Sequence, residues 1–161
     1  MLRRRQKLVV TSAAVLGTFL GTVTMTAPAM ASTHPATARP AATGTNIDLG
    51  FEGETGCDAA IHRWHYCLWY SQNLGGAMWG TNQQTFGTII ATYPSNGTGA
   101  GKPVRNDAAS MADNTPNCNV TTWVDTNYTG DFNWLKPMFW GNLTSTLHNN
   151  EASISYNNCS S

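Results

Sequence analysis

Trp69-Tyr70-Ser71-Gln72-Asn73-Leu74-Gly75-Gly76 recurs 54 residues later as Trp123-Val124-Asp125-Thr126-Asn127-Tyr128-Thr129-Gly130. Both stretches read W-x3-N-x2-G, with a bulky residue (Leu74, Tyr128) after the Asn. Each follows a strand-like run, Tyr66–Trp69 and Val120–Val124. Asn and Gly tolerate positive φ, so each stretch predicts a tight hairpin turn, its aromatic folding over the turn. A second pair of short stretches keeps step with the first. Asn106-Asp107-Ala108-Ala109-Ser110 and Asn149-Asn150-Glu151-Ala152-Ser153 both read N-[DN]-x-A-S, with an offset of 43. The Gly-rich run Ala91–Pro103 accounts for the extra residues of the first copy and is expected to be exposed and mobile. Internal repeats of this kind decide architecture before any single element does.

Each half therefore predicts strand, Asn/Gly hairpin, strand, strand, Asn/Ser corner, strand. No run places apolar residues at i, i+3, i+4 and i+7; short aromatic and β-branched runs are cut by Gly, Asn and Pro. The expectation is an all-β sandwich of two four-stranded Greek keys, eight strands in all. The Ser of each corner is expected to hydrogen-bond its hairpin's backbone and tie the corner down.

Outside the repeats the chain is easily divided. It has 161 residues, 11% of them charged, and a formal net charge of zero. Four basic residues (Arg3, Arg4, Arg5, Lys7) fall in the first seven positions, so the zero conceals an asymmetry. From Asn46 onward four basic residues face nine acidic ones, a charge of −5. Such a domain has no electrostatic footprint for nucleic acid or for an anionic membrane surface. Six Trp, five Tyr and five Phe argue against intrinsic disorder.

The basic start, the apolar Leu8–Met25 and Ala29-Met30-Ala31 read as a secretory signal peptide, residues 1–31. A permanent membrane anchor is the alternative; the stretch is short for a bilayer and diluted by hydroxyls. Residues 32–46 read as a flexible linker or short pro-segment, and 47–161 as one domain. Its Greek keys span about 57–115 and 118–159. Export puts Cys57, Cys67, Cys118 and Cys159 in an oxidising compartment, where an even count suggests two disulfides. Of three connectivities, Cys57–Cys67 with Cys118–Cys159 is expected, because each pair brackets a compact stretch. No C-x2-C or H-x3-H spacing supports zinc.

The W-x6-G hairpins paired with N-[DN]-x-x-S corners resemble the βγ-crystallin fold. With the export signal and the Cys-bounded segment ending in Tyr66-Cys67-Leu68-Trp69-Tyr70, the chain is similar to the secreted microbial metallopeptidase-inhibitor family, over about Gly56–Tyr156. The resemblance implies a secreted, monomeric, non-enzymatic protein whose partner is an extracellular peptidase. It also implies calcium, through a signature N/D-N/D-x-x-S/T-S in each half. Asn106, Asp107 and Ser110, and Asn149, Asn150 and Ser153, match its first five positions. The sixth, Met111 or Ile154, departs from it. With Asp107 the one carboxylate among these signature positions, a weak site of about 10⁻⁴–10⁻³ M is implied.

The family's best-studied inhibitory loop carries a short local disulfide in the second half, and this chain has no closely spaced Cys pair there. Leu135, Lys136, Pro137, Met138, Phe139 and Trp140, apolar and stiffened by Pro, are the expected inhibitory residues. Strand and core packing is their alternative, and Ala91–Pro103 is a second candidate. A calcium-binding module without a protease target, and a secreted toxin of the same fold, are the rival functions. Catalysis finds little support: no G-x-S-x-G, H-E-x-x-H or P-loop occurs. His62 with His65 reads as surface loop, and Asp125 with Asp131 as solvated turn carboxylates. The sequons at Asn96, Asn119, Asn127, Asn142 and Asn158 are expected to be bare.

Overall fold

Both W-x3-N-x2-G stretches fold as hairpin turns with the same backbone. The computed structural model describes residues 40–51, 57, 64–94 and 96–160. The expected signal peptide, residues 32–39 and His62 lie outside them. Asn73 and Leu74 take φ of 54° and 58°, Asn127 and Tyr128 take 56° and 60°, and Gly76 and Gly130 follow at 77° and 82°. Leu and Tyr rarely adopt this left-handed region. The corners hold them there: Ser110 Oγ accepts from Leu74 N–H at 3.1 Å and donates to Ser71 O at 2.7 Å. Ser153 Oγ does the same for Tyr128 N–H (3.1 Å) and Asp125 O (2.6 Å). The corner Ser residues thus tie their own hairpins, as expected. Ser110→Ala and Ser153→Ala should each lower unfolding free energy by about 1–3 kcal/mol, because each leaves a strained N–H unpaired. Urea unfolding checks this; the two losses should be nearly equal.

The described residues form ten strands: β1 Gly44–Asn46, β2 Gly50–Phe51, β3 Tyr66–Ser71, β4 Gly75–Thr81, β5 Thr85–Phe86, β6 Ser110–Asp113, β7 Asn119–Asp125, β8 Thr129–Leu135, β9 Phe139–Asn142 and β10 Ser153–Asn157. They make two five-stranded sheets, β1-β8-β7-β10-β5 and β2-β9-β6-β3-β4. The hairpins are β3–β4 and β7–β8. The third strand of each Greek key crosses to the opposite sheet: β5 pairs with β10, and β9 with β6. This exchange makes the two keys one βγ-crystallin-like sandwich, because neither sheet is completed by its own half alone.

Two strands were not legible. β1 runs parallel to β8 and β2 antiparallel to β9, so the segment before the first key extends one edge of each sheet. The linker expected at 32–46 therefore ends earlier, since 44–46 are strand. The low-complexity stretch around them shows no alternation. Its signal is Gly44, where a Cβ would stand 2.2 Å from Phe132 Cζ. A side chain at this position would have to push the Phe132 ring aside.

Both disulfides pair as expected, Cys57–Cys67 and Cys118–Cys159, with Cα separations of 5.9 and 4.0 Å. The core between the sheets holds Tyr66, Leu68, Met111, Val120, Leu135 and Ile154, all fully buried. Tyr66 Oη and Thr122 Oγ1 share a 2.6 Å hydrogen bond inside it.

Candidate functional site

The connection from β5 to β6 is the longest irregular segment between strands, and it presents one side chain differently from its neighbours. Ile89 is 2% exposed and Ile90 is 88% exposed. Ile89 N–H donates to Ala152 O at 2.9 Å, and Val104 N–H donates to Ala91 O at 2.9 Å. Ile90 is therefore an aliphatic side chain held out to solvent between two backbone anchors. Leaving such a side chain in water carries a hydrophobic cost that a partner's pocket would relieve.

The excursion Ala91–Pro103, expected to be mobile, is tied at several points. Tyr93 is buried and packs edge-on against Tyr70 at 5.9 Å. Its N–H donates to Lys102 O (2.9 Å), its O accepts from Gly101 N–H (3.1 Å), and Ala77 N–H donates to Thr98 O (2.8 Å). Thr92 forms a bridge with Pro103. The excursion is pinned to β4 through Ala77 and holds the segment after Ile90 through Ala91.

The stretch expected to inhibit, 135–140, forms the β8–β9 turn and its flanks. Leu135 is in the core and offers nothing to a partner, which corrects its inclusion. Its strand-end position on the inward face buries it. Phe139 and Trp140 lie in β9, half-buried; Phe139 packs on the main core and Trp140 on the cluster around Cys57–Cys67. Lys136, Pro137 and Met138 make the turn itself, with Met138 at φ 65°. Asp48 clamps it: Oδ1 accepts from Lys136 N–H at 3.0 Å, and Oδ2 sits 3.2 Å from Lys136 Nζ. Beside it Leu49 and Phe51 are 61% and 65% exposed, Phe51 edge-on to Phe139 at 6.2 Å. This second apolar surface follows the β2 edge.

The expected calcium corners face each other across the approximate two-fold between the keys. Asn106 N–H donates to Glu151 O (3.0 Å) and Asn149 N–H to Ala108 O (2.9 Å), with Asn106 and Asn149 at φ 64° and 58°. Ser110 and Ser153 are buried and engaged with their hairpins. Asn150 donates through Nδ2 to Thr146 O at 3.1 Å. Of the corner residues with side-chain oxygens, Asn106, Asn149 and Asn150 are exposed and Asp107 is half-buried. One carboxylate with amide oxygens suits calcium only weakly.

Glu151 is the residue that breaks the symmetry of the corners, since its counterpart is Ala108. It is fully buried, and Oε1 accepts from Asp107 N–H at 3.1 Å and Ala108 N–H at 2.9 Å. Oε2 has no partner among the described residues. Burial pushes its carboxyl up to about 8, against the pull of those amides. Asp113, buried at the end of β6, is pushed up to about 7 by burial, although Thr115 donates to it through N–H and hydroxyl. Asp131 accepts from Thr43 N–H at 2.8 Å and so anchors the N-terminal strand. His65 uses its backbone N–H on Asn82 Oδ1 at 2.8 Å.

Residues 58–135 match the model of Peptidase inhibitor family I36, a stretch that holds both hairpins, the first corner and Ile90. No curated protein matches the chain. Among solved structures, one described as "Evolution of the eye lens beta-gamma-crystallin domain fold" is 16% identical, covering 59% of this chain and 86% of that chain, with a TM-score of 0.46. The resemblance to the peptidase inhibitors, read from hairpins and corners, is borne out by the family match. It supports an inhibitor rather than an enzyme, and implies a peptidase as protein partner.

Proposed function

We propose that this chain is a secreted inhibitor of an extracellular peptidase with an apolar specificity pocket, a metallopeptidase of the thermolysin type, and that Ile90 is the residue it presents. The observation that carries this is the contrast between Ile89 and Ile90 on an irregular segment anchored at both sides. A preorganised segment loses little entropy when a cleft closes on it. Ile90 also lies inside the family match, whereas Leu49, Phe51 and the 136–140 turn lie outside it. An aliphatic side chain favours an apolar pocket over the acidic pocket of a trypsin-like enzyme. The test is a titration of the secreted protein against thermolysin, with subtilisin and trypsin as controls. Stoichiometric loss of thermolysin activity alone is expected; no inhibition of any of the three overturns the reading.

We propose calcium at the Asp107 corner as a weak, stabilising ligand of the same protein. With a dissociation constant of about 1 mM, 10 mM calcium adds about 1.4 kcal/mol of stability. A rise in Tm of roughly 5 °C should appear in calorimetry and vanish in Asp107→Ala. An unchanged Tm overturns it.

A further inference from the structure

The approximate two-fold lets one outer sheet face serve as the reference for the other. On the face of β3 and β4, Trp69 is 4% exposed beneath a cover of Cys57, Cys67, Met78 and Trp64. Trp64 lies so close over Gly80 that a Cβ there would be 2.2 Å from its Cδ1. The equivalents on β7 and β8, at the hairpin offset, are Trp123 for Trp69, Thr121 for Cys67, Phe132 for Met78 and Trp134 for Gly80. No cysteine flap can close on this side, because Thr121 replaces Cys67. An open pocket of about 380 Å³ lies there, lined by Asn119, Thr121, Trp123, Phe132, Trp134, Asn157 and Asn158.

Every lining residue is aromatic, amide or hydroxyl, and none is ionisable. Trp123 and Phe132 pack at 4.4 Å between centroids and Trp123 Nε1 donates to Ser155 Oγ at 3.0 Å, which fixes the indole. Asn157 Nδ2 is held by Thr121 Oγ1 at 2.9 Å and Ser155 Oγ at 3.1 Å, so its Oδ1 is aimed by a set amide. Rigid aromatic faces beside oriented amides accept a ligand that is apolar on one side and hydroxyl-rich at its edge. Electroneutrality excludes the alternatives by charge: a nucleic acid needs cations for its phosphates. The pocket also offers no strand edge to a peptide, because β7, β8 and β10 are all interior to their sheet.

We infer that the outer face of β7, β8 and β10 is a binding site for a neutral saccharide, whose ring stacks on Trp134 and Trp123 and whose hydroxyls meet Asn119, Asn157 and Asn158. The site is independent of the inhibitory reading, since Ile90 is not part of it.

The test uses the secreted protein with cellohexaose, xylohexaose, laminarihexaose and chitohexaose as probes. Saturable change in tryptophan fluorescence is expected with at least one of them, weakened about tenfold or more in Trp134→Ala. Amide shifts in the NMR spectrum of the unaltered protein should map to 119–123, 132–134 and 157–158, so the result stands even if Trp134→Ala fails to fold. Absence of binding by all four probes overturns the site, as does mapping elsewhere or unchanged binding by a folded Trp134→Ala. Loss of peptidase inhibition in folded Trp134→Ala, without any saccharide binding, would make this a protein-binding face and overturns it equally.

Discussion

Glu151→Ala should cost the domain about 3–5 kcal/mol, the largest single-residue loss expected outside the disulfides. The side chain spans from the second corner to the first, and Ala108 N–H has no acceptor but Glu151 Oε1 among the described residues. Truncation leaves that amide unpaired and opens a cavity between the corners. Glu151→Gln keeps the oxygen and the volume, so it should lie within about 1 kcal/mol of the parent at pH 5.

The two variants also separate packing from protonation. Glu151 moves from its usual 4.5 to about 8 on folding, and Asp113 from 3.8 to about 7. The folded state therefore holds protons that the unfolded state has released. This contribution to stability is complete below the unfolded values, under about pH 3.8, and falls as pH rises through the folded ones, levelling off above about pH 8. The slope has a ceiling of about 1.4 kcal/mol per pH unit for each group. Near Asp113 stand Asp48 and Tyr156, and near Glu151 stand Asp107, Tyr66 and Tyr93; none of these is a cation that would reverse the sign. Urea unfolding from pH 4 to 8 should show the decline. Glu151→Gln should flatten it between about 4.5 and 8, and Asp113→Asn between about 4 and 7. A stability that instead rises over this range would show both carboxyls ionised in the fold.

Ile90→Ala should weaken peptidase inhibition by about 30-fold to 1000-fold, the range of an interface hot spot, while leaving stability within about 0.5 kcal/mol. Both halves follow from exposure: the side chain touches little of its own protein, and the anchors at Ile89 and Ala91 use backbone atoms. Phe139→Ala should do the opposite, lowering Tm through lost core packing with inhibition intact in the folded fraction. Leu49→Ala and Phe51→Ala should leave inhibition unchanged. Inhibition lost in these two and kept in Ile90→Ala would transfer the reactive surface to the β2 edge.

The sequence by itself determined the fold and its staples. The hairpins and corners are written in residues that act within a few positions: Asn73 and Asn127 accept positive φ, Gly76 and Gly130 continue it, and Ser110 and Ser153 reach back to them. Those local demands recur in each half, the hairpins 54 positions apart and the corners 43, so they could be counted without coordinates, and the cysteine pairs followed from the halves. Exposure is a different quantity. Leu135 and Ile90 are both aliphatic residues just past or at the end of a strand, yet one is buried and the other bare, because what covers each comes from distant parts of the chain. Glu151 is one position of the second corner in sequence, and only the fold brings the Asp107 and Ala108 amides, more than 40 positions away, onto its carboxyl. Likewise Trp69 and Trp123 occupy the same place in the repeat, and only the packing of Trp64 and Cys57 over one of them distinguishes a sealed face from an open one. Turn chemistry is local and therefore legible; burial is a sum over the whole molecule, and only the tertiary structure performs it.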